Sequence, residues 1–384
     1  MARQISADHI LFNECIDTFR SEHNTLTFGA TKSFLLLPFQ LNQIWDLGIC
    51  VIHPSTRMRL PGASSAFVSE VENPKWVGIR HAHLFGIALS TIISFITLKP
   101  CKSPRDGYIN RKNHLSREDY CELSLINPIL TAGPGAHTTL LSNKRLEFFH
   151  SEIKEFIDVL YKIDHKNFQI VMQGIRLLHL SLINKREDFG LAYLLAVSSI
   201  EAIAQKAIGR DKVKRTEPCE KEWKEKAKEN EDFSKLFRAY KESRGKNEYL
   251  KERYVKFIFE YAPISNWEDY VSHPMQDYYE YNKETNSSEE STDYIKKSES
   301  DIEPKELEEK IINNILSDSY NHRSSYIHRG EQPPHPDPNP SSDRFFQKYY
   351  EYKNEKIEEK TLLTYDLLIG IAKNSFIHWI KTKL

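Results

Sequence analysis

A chain of 384 residues with 40% hydrophobic and 28% charged residues has material for a sizeable core under a well-charged surface, in roughly two or three domains. Its 53 basic and 54 acidic residues leave a net charge of -1, so any surface for an anion has to be local. Five scattered cysteines without a Cys-x-x-Cys pair argue against a disulfide framework and a cysteine zinc site, and fit a reducing cytosol.

The chain starts without a basic-then-apolar leader. Residues 7–19 carry a short amphipathic pattern that predicts a helix. Apolar runs at 34–38, 49–52 and 66–68, broken by Pro38, Pro54, Pro61 and Gly62, predict short strands. Residues 76–98 read as a largely buried helix. The apolar stretch Leu84 to Leu98 is too short to span a bilayer and holds Ser90, Thr91, Ser94 and Thr97. The expectation is a cytoplasmic protein with no membrane contact. Residues 99–145 are loop-rich, with one short helix near 117–125. Gly133-Pro134-Gly135 is a turn there, since proline lacks the donor a phosphate cradle uses. The N-terminal region, 1–145, is therefore expected to be α or α+β, with a sensing or regulatory role.

Three strong helices follow, at 146–163, 168–183 and 189–208. The last is apolar nearly all round, which marks a central helix, with Gly209 as its stop. Residues 210–262 are dense in Lys and Glu and read as surface helices. Residues 281–303 are polar and predict disorder. Together 210–303 form an insertion. Leu307, Ile311, Ile312, Ile315, Leu316 and Tyr320 then recur at spacings of three and four, one buried stripe of a helix over 305–328. Acids and Pro304 stand at its start, and Gly330 with the proline cluster from Pro333 at its stop. A last helix is expected over 357–383. The fold class is mainly α, with the long helices of 146–384 forming an antiparallel bundle from which the insertion departs.

The chemistry concentrates in Ser319-Tyr320-Asn321-His322-Arg323-Ser324-Ser325-Tyr326-Ile327-His328-Arg329-Gly330. Arg323 extends the buried stripe, which is costly for a cation unless it is paired or faces a cleft. Arginine offers a permanent forked charge that matches phosphate, and histidine moves protons near neutral pH. On an ideal helix Arg323 and His328 stand about 140° apart and about 7.5 Å along the axis. One helix does not bring both onto one phosphate easily; two copies across a symmetry axis can. Without an acidic cluster for a metal, the fitting reaction is RNA cleavage by the neighbouring 2′-hydroxyl, with Asn321, His322 and Ser324 adding hydrogen-bonding groups. The plainer alternative is a capped helix end whose Arg323 pairs with Glu201 and whose His328 bonds a carbonyl.

Tyr320-x-x-Arg323-Ser-Ser-Tyr-Ile-His328-Arg-Gly330 resembles the Arg-x4–6-His signature of the HEPN superfamily, and its Apea-like branch in particular. Asp188-Phe-Gly-Leu-Ala-Tyr-Leu-Leu-Ala-Val-Ser-Ser-Ile-Glu201-Ala-Ile resembles that family's early helix. The resemblance covers about residues 166–384. It implies a helical bundle that homodimerises through the motif helix and acts as a metal-independent endoribonuclease without cofactors, in phage defence or a toxin–antitoxin pair, with a regulatory partner protein. Arg323 and His328 take the catalytic positions. Tyr320, Asn321, Ser324 and Glu201 support them, and Arg329 and His322 meet the RNA. Ser324 stands where the family usually has Asn, Asp or His, and Arg329 separates His328 from the glycine. A non-catalytic dimerisation module in a defence or signalling complex is the alternative.

Overall fold

The computed structural model describes residues 8–21, 29–59, 65–105, 107, 109–112, 115–129, 140–213, 219–246, 249–272, 276–285, 302–338, 343–353 and 356–384. Helix α1 (Asp8–Phe19) leads into an antiparallel sheet of β1 (Lys32–Leu37), β2 (Trp45–Asp46), β3 (Val51–Ile52), β4 (Thr56–Arg59) and β5 (Ser65–Glu72). The strand order is β1-β5-β3-β2, with β4 also on β5. Alternation along β1 sorts its side chains. Leu35 and Leu37 enter the main core, whereas Phe34 joins Met58, Val68, Ile109 and Leu123 on the other face. Helix α3 (Arg117–Ile126), opened by a capping box at Ser116, covers that second face. Helix α2 (Ala82–Thr97) is buried almost throughout. It starts later than the apolar pattern from Trp76 predicts, because residues 75–81 are spent in turns.

The remaining helices are α4 (Asn143–Lys162), α5 (His165–Asn184), α6 (Phe189–Ala207), α7 (Glu220–Glu229), α8 (Glu231–Lys246), α9 (Leu250–Tyr261), α10 (Gln276–Thr285), α11 (Glu309–Arg329) and α12 (Tyr365–Lys381). The protein is mainly helical. Side-chain oxygens of Ser142, Asp164, Asp188 and Thr364 accept from backbone N–H groups at the starts of α4, α5, α6 and α12. Helices α5 and α6 run antiparallel: Ser181 Oγ donates to the Ala192 carbonyl and Ser199 Oγ to the Gly174 carbonyl. Gly174 lets them approach, since a Cβ there would stand 2.7 Å from Ile203.

Helix α6 is central as expected, packing against α5, α9, α11 and α12. One apolar cluster runs from Phe12 on α1 to Ile380 on α12, so the sheet region and the long helices share a core.

Four expectations are corrected. The last helix starts at Tyr365: residues before it form β6 (Phe346–Lys353) and β7 (Lys356–Leu363), an antiparallel hairpin pairing Phe346 with Leu363. Helix α9 is no surface helix. Tyr254, Val255, Phe257 and Ile258 are buried, and the buried Arg253 guanidinium donates to the carbonyls of Gln205 and Ile208 at the end of α6. Pro304 opens a separate 3-10 turn (Pro304–Glu306), and α11 begins at Glu309. Gly209 has φ -64°, an ordinary value, so α6 ends at Ile208 without a left-handed cap. Helices α7 and α8 do lie exposed, with no buried residue along α7. The expected disorder of 281–303 lies outside the described residues beyond Thr285, and the Gly133-Pro134-Gly135 turn lies wholly outside them.

Candidate functional site

Helix α11 is anchored by Ile312, Ile315, Leu316 and Ser319, which face α6 and α9. It stops where expected. Gly330 adopts φ +68°, and its N–H donates to the Tyr326 carbonyl at 3.0 Å. That left-handed turn suits glycine and ends the helix before the prolines. The C-terminal end of α11 is fixed to the N-terminus of α6. Tyr326 Oη donates to Asp188 Oδ2 at 3.1 Å, while Asp188 Oδ1 caps α6 through the Leu191 N–H at 2.9 Å.

One turn earlier, Arg323 meets α6 again. Its Nη2 lies 3.0 Å from Glu201 Oε2, and its Nε donates to Ser198 Oγ at 3.4 Å. Its guanidinium also stands 5.7 Å from the centre of the Tyr320 ring. Glu201 is only 5% exposed, so its charge needs this cation. Gln205 Nε2 donates to the other carboxylate oxygen at 3.2 Å. Oε2 receives no aligned hydrogen bond, so the Arg323 contact is electrostatic rather than a forked pair. Burial and then the Glu201 carboxylate push the Tyr320 hydroxyl up to about 12. Tyr254 packs on Tyr320 with ring centres 5.6 Å apart, and its hydroxyl hydrogen-bonds Ser319 Oγ at 3.0 Å.

The expected residues divide into three groups. Tyr320, Arg323 and Glu201 are together, as a partly buried cation on a buried carboxylate. Ser324 and His328 lie on the outer side of α11, Ser324 half-buried and His328 exposed. Arg329 is exposed, donating to Ser325 Oγ at 2.6 Å and pairing with Glu331 at 2.8 Å. Asn321 is exposed and turns to Asp318 on its own helix, 3.5 Å away. His322 joins neither the arginine nor His328. It is half-buried with its Nε2 enclosed and unpartnered, and burial holds its pKa below the usual range.

His335 lies in the loop after α11. Its Nε2 faces the Leu363 carbonyl at 2.9 Å and is therefore the protonated nitrogen. The ring packs on Phe189 and Tyr193, and burial pushes its pKa down to about 4. Among the described residues no group of three or more His, Cys, Asp or Glu is placed to hold a metal ion.

Sequence reasoning missed Ser198, Gln205 and Tyr254. Ser198 and Gln205 flank Glu201 at helical spacings of three and four, a signal readable once Glu201 is chosen. Among the described residues no helix is long and apolar enough to cross a membrane. No family model matches the chain, and neither do any curated protein or solved structure.

Proposed function

We propose that the chain is a metal-independent endoribonuclease of the HEPN type, acting as a homodimer through α11. The observation that carries the reading is the division of labour on one helix. Arg323 is held at a fixed place by Glu201 and Ser198, while His328, five residues on, is exposed in the last turn. A preset cation and an accessible imidazole are the two groups that 2′-hydroxyl attack on a phosphodiester requires. In this reading His328 moves the proton and Arg323 turns partly from Glu201 to the scissile phosphate. Ser324 sits between them, and Arg329 reaches the RNA backbone. A role in defence against phage or in a toxin–antitoxin pair follows from the resemblance.

A second reading, a non-catalytic dimerisation module, is favoured by the same ion pair. Arg323 already satisfies a buried carboxylate, and Ile327 beside His328 is an exposed apolar residue at 47%. The test is cleavage of total RNA in EDTA by the wild type and His328→Ala. The ribonuclease reading expects a loss of at least roughly 100-fold in the variant. Equal cleavage by both removes His328 from the chemistry. No cleavage by the wild type favours the module.

A further inference from the structure

A cleft of about 510 Å³ opens between α9, the 3-10 turn Arg210–Lys212 and the first half of α11. That volume fits one small organic ligand. Its chemistry is mixed. Lys251 and Lys256 supply cations, Phe259 and Val255 an apolar floor, and Glu252 and Asn313 hydrogen-bonding edges. Lys212 and Glu309 complete the rim, and Glu260 stands 3.8 Å from Lys212. Lys256 Nζ donates to the Lys212 carbonyl at 3.1 Å, which leaves two of its three protons for a ligand. Because the carboxylates offset much of the charge, the cleft is poorly suited to a bare polyanion such as a duplex backbone. A nucleotide carries both complements: an anionic phosphate, and a flat base whose edge donates to carboxylate and amide oxygens.

The cleft is continuous with the candidate site. Ser317, on its wall, and His328 are eleven residues apart on α11, which is three turns. They therefore share a face to within about 20° and lie about 16.5 Å apart along the axis. Ser324 falls between them on that face. A strand lying along the outer side of α11 passes from one to the other.

We propose that this cleft holds one nucleotide of a single-stranded RNA substrate, with the phosphate at Lys251 and Lys256, the base over Phe259 and the base edge toward Glu252 and Asn313. The proposal names the substrate class of the Arg323–His328 site and rests on the ribonuclease reading for the strand's destination.

The experiment measures binding of a short fluorescein-labelled single-stranded RNA of mixed sequence to the full chain carrying His328→Ala, by anisotropy over a range of salt. Adding Lys251→Ala and Lys256→Ala should weaken binding and reduce the slope of log affinity against log salt by roughly 1.4, about 0.7 for each lost phosphate contact. Glu252→Gln should change the preference among homopolymers and leave the slope in place. Unchanged slope and affinity in the lysine variants, with unchanged circular dichroism, would overturn the proposal. So would equal binding of duplex RNA, or full competition by a mononucleotide mixture at the strand's own concentration. The two readings fail separately. Lysine-dependent binding with no cleavage by the wild type keeps the cleft and removes the ribonuclease. Cleavage by the wild type with unaltered binding in the lysine variants keeps the ribonuclease and removes the cleft.

Discussion

Replacing Arg323 by alanine should destabilise the protein before it says anything about catalysis. At an effective dielectric near 20, opposite charges 3.0 Å apart attract by about 5 kcal/mol. The gain is offset by the cost of taking both groups from water, so the net value of the pair is much smaller. Removing one partner is a different matter, because Glu201 would remain charged at 5% exposure. Breaking a buried pair this way costs about 3–5 kcal/mol. Arg323 keeps 22% of its side chain exposed, so water can partly replace it, and the expected loss is about 3 kcal/mol.

Neutralising both sides with Glu201→Gln and Arg323→Ala should recover most of that loss, giving a coupling energy of about 2 kcal/mol. Urea denaturation of the wild type, both single variants and the double variant measures the cycle. Additive single effects, or Arg323→Ala within about 0.5 kcal/mol of the wild type, would refute the argument. The same cycle decides how cleavage is tested, since loss of activity in Arg323→Ala alone would mix chemistry with unfolding.

His179 and His335 should make the fold acid-sensitive. Burial pushes their pKa values down to about 3 and about 4, below the usual histidine range, so the unfolded chain binds their protons first as pH falls. The stability they contribute is present above about pH 6.5 and is lost below it, by roughly 2 kcal/mol per histidine between pH 7 and pH 5. Urea midpoints at the two pH values check this; His335→Gln should flatten the change, and equal midpoints for the wild type would refute it. Asp188→Ala removes the cap of α6 and the Tyr326 partner together and should cost about 2 kcal/mol. Asp188→Asn should recover most of the loss in a thermal melt. Gly370→Ala drives a Cβ to 2.7 Å from the Tyr270 carbonyl oxygen, a backbone atom, and should cost about 1–3 kcal/mol by the same melt. His328→Ala, at an exposed position, should leave the melting temperature within about 1 °C of the wild type.

The helices that carry apolar stripes were legible. The spacing along 146–163, 168–183 and 189–208 lies within a few residues of α4, α5 and α6, because each buries one face against its neighbours. Leu362 and Leu363 misled for a related reason. They continue the stripe of α12 in sequence, yet they belong to β7, and the aromatic run Phe345 to Tyr352 upstream was the strand signal. In α9 the lysines and glutamates disguised a stripe of Tyr254, Phe257, Ile258 and Tyr261 at spacings of three and four. The Glu201–Arg323 contact was readable, since a carboxylate on the all-round apolar α6 and a cation on the stripe of α11 each need a partner. The inward turn of His322 was not, because it depends on a hairpin that the helical pattern concealed.

The account stands most directly on whether two copies of α11 build one site. Co-expressed chains carrying separate tags, one with Glu201→Gln and Arg323→Ala and the other with His328→Ala, can be purified as mixed dimers and given RNA in EDTA. A shared site predicts cleavage in the mixed dimer at up to about half the wild-type rate, since one of its two arginine–histidine pairings is intact, while each parent alone is inactive. A mixed dimer as inactive as its parents, beside an active wild type, would contradict a site shared between copies.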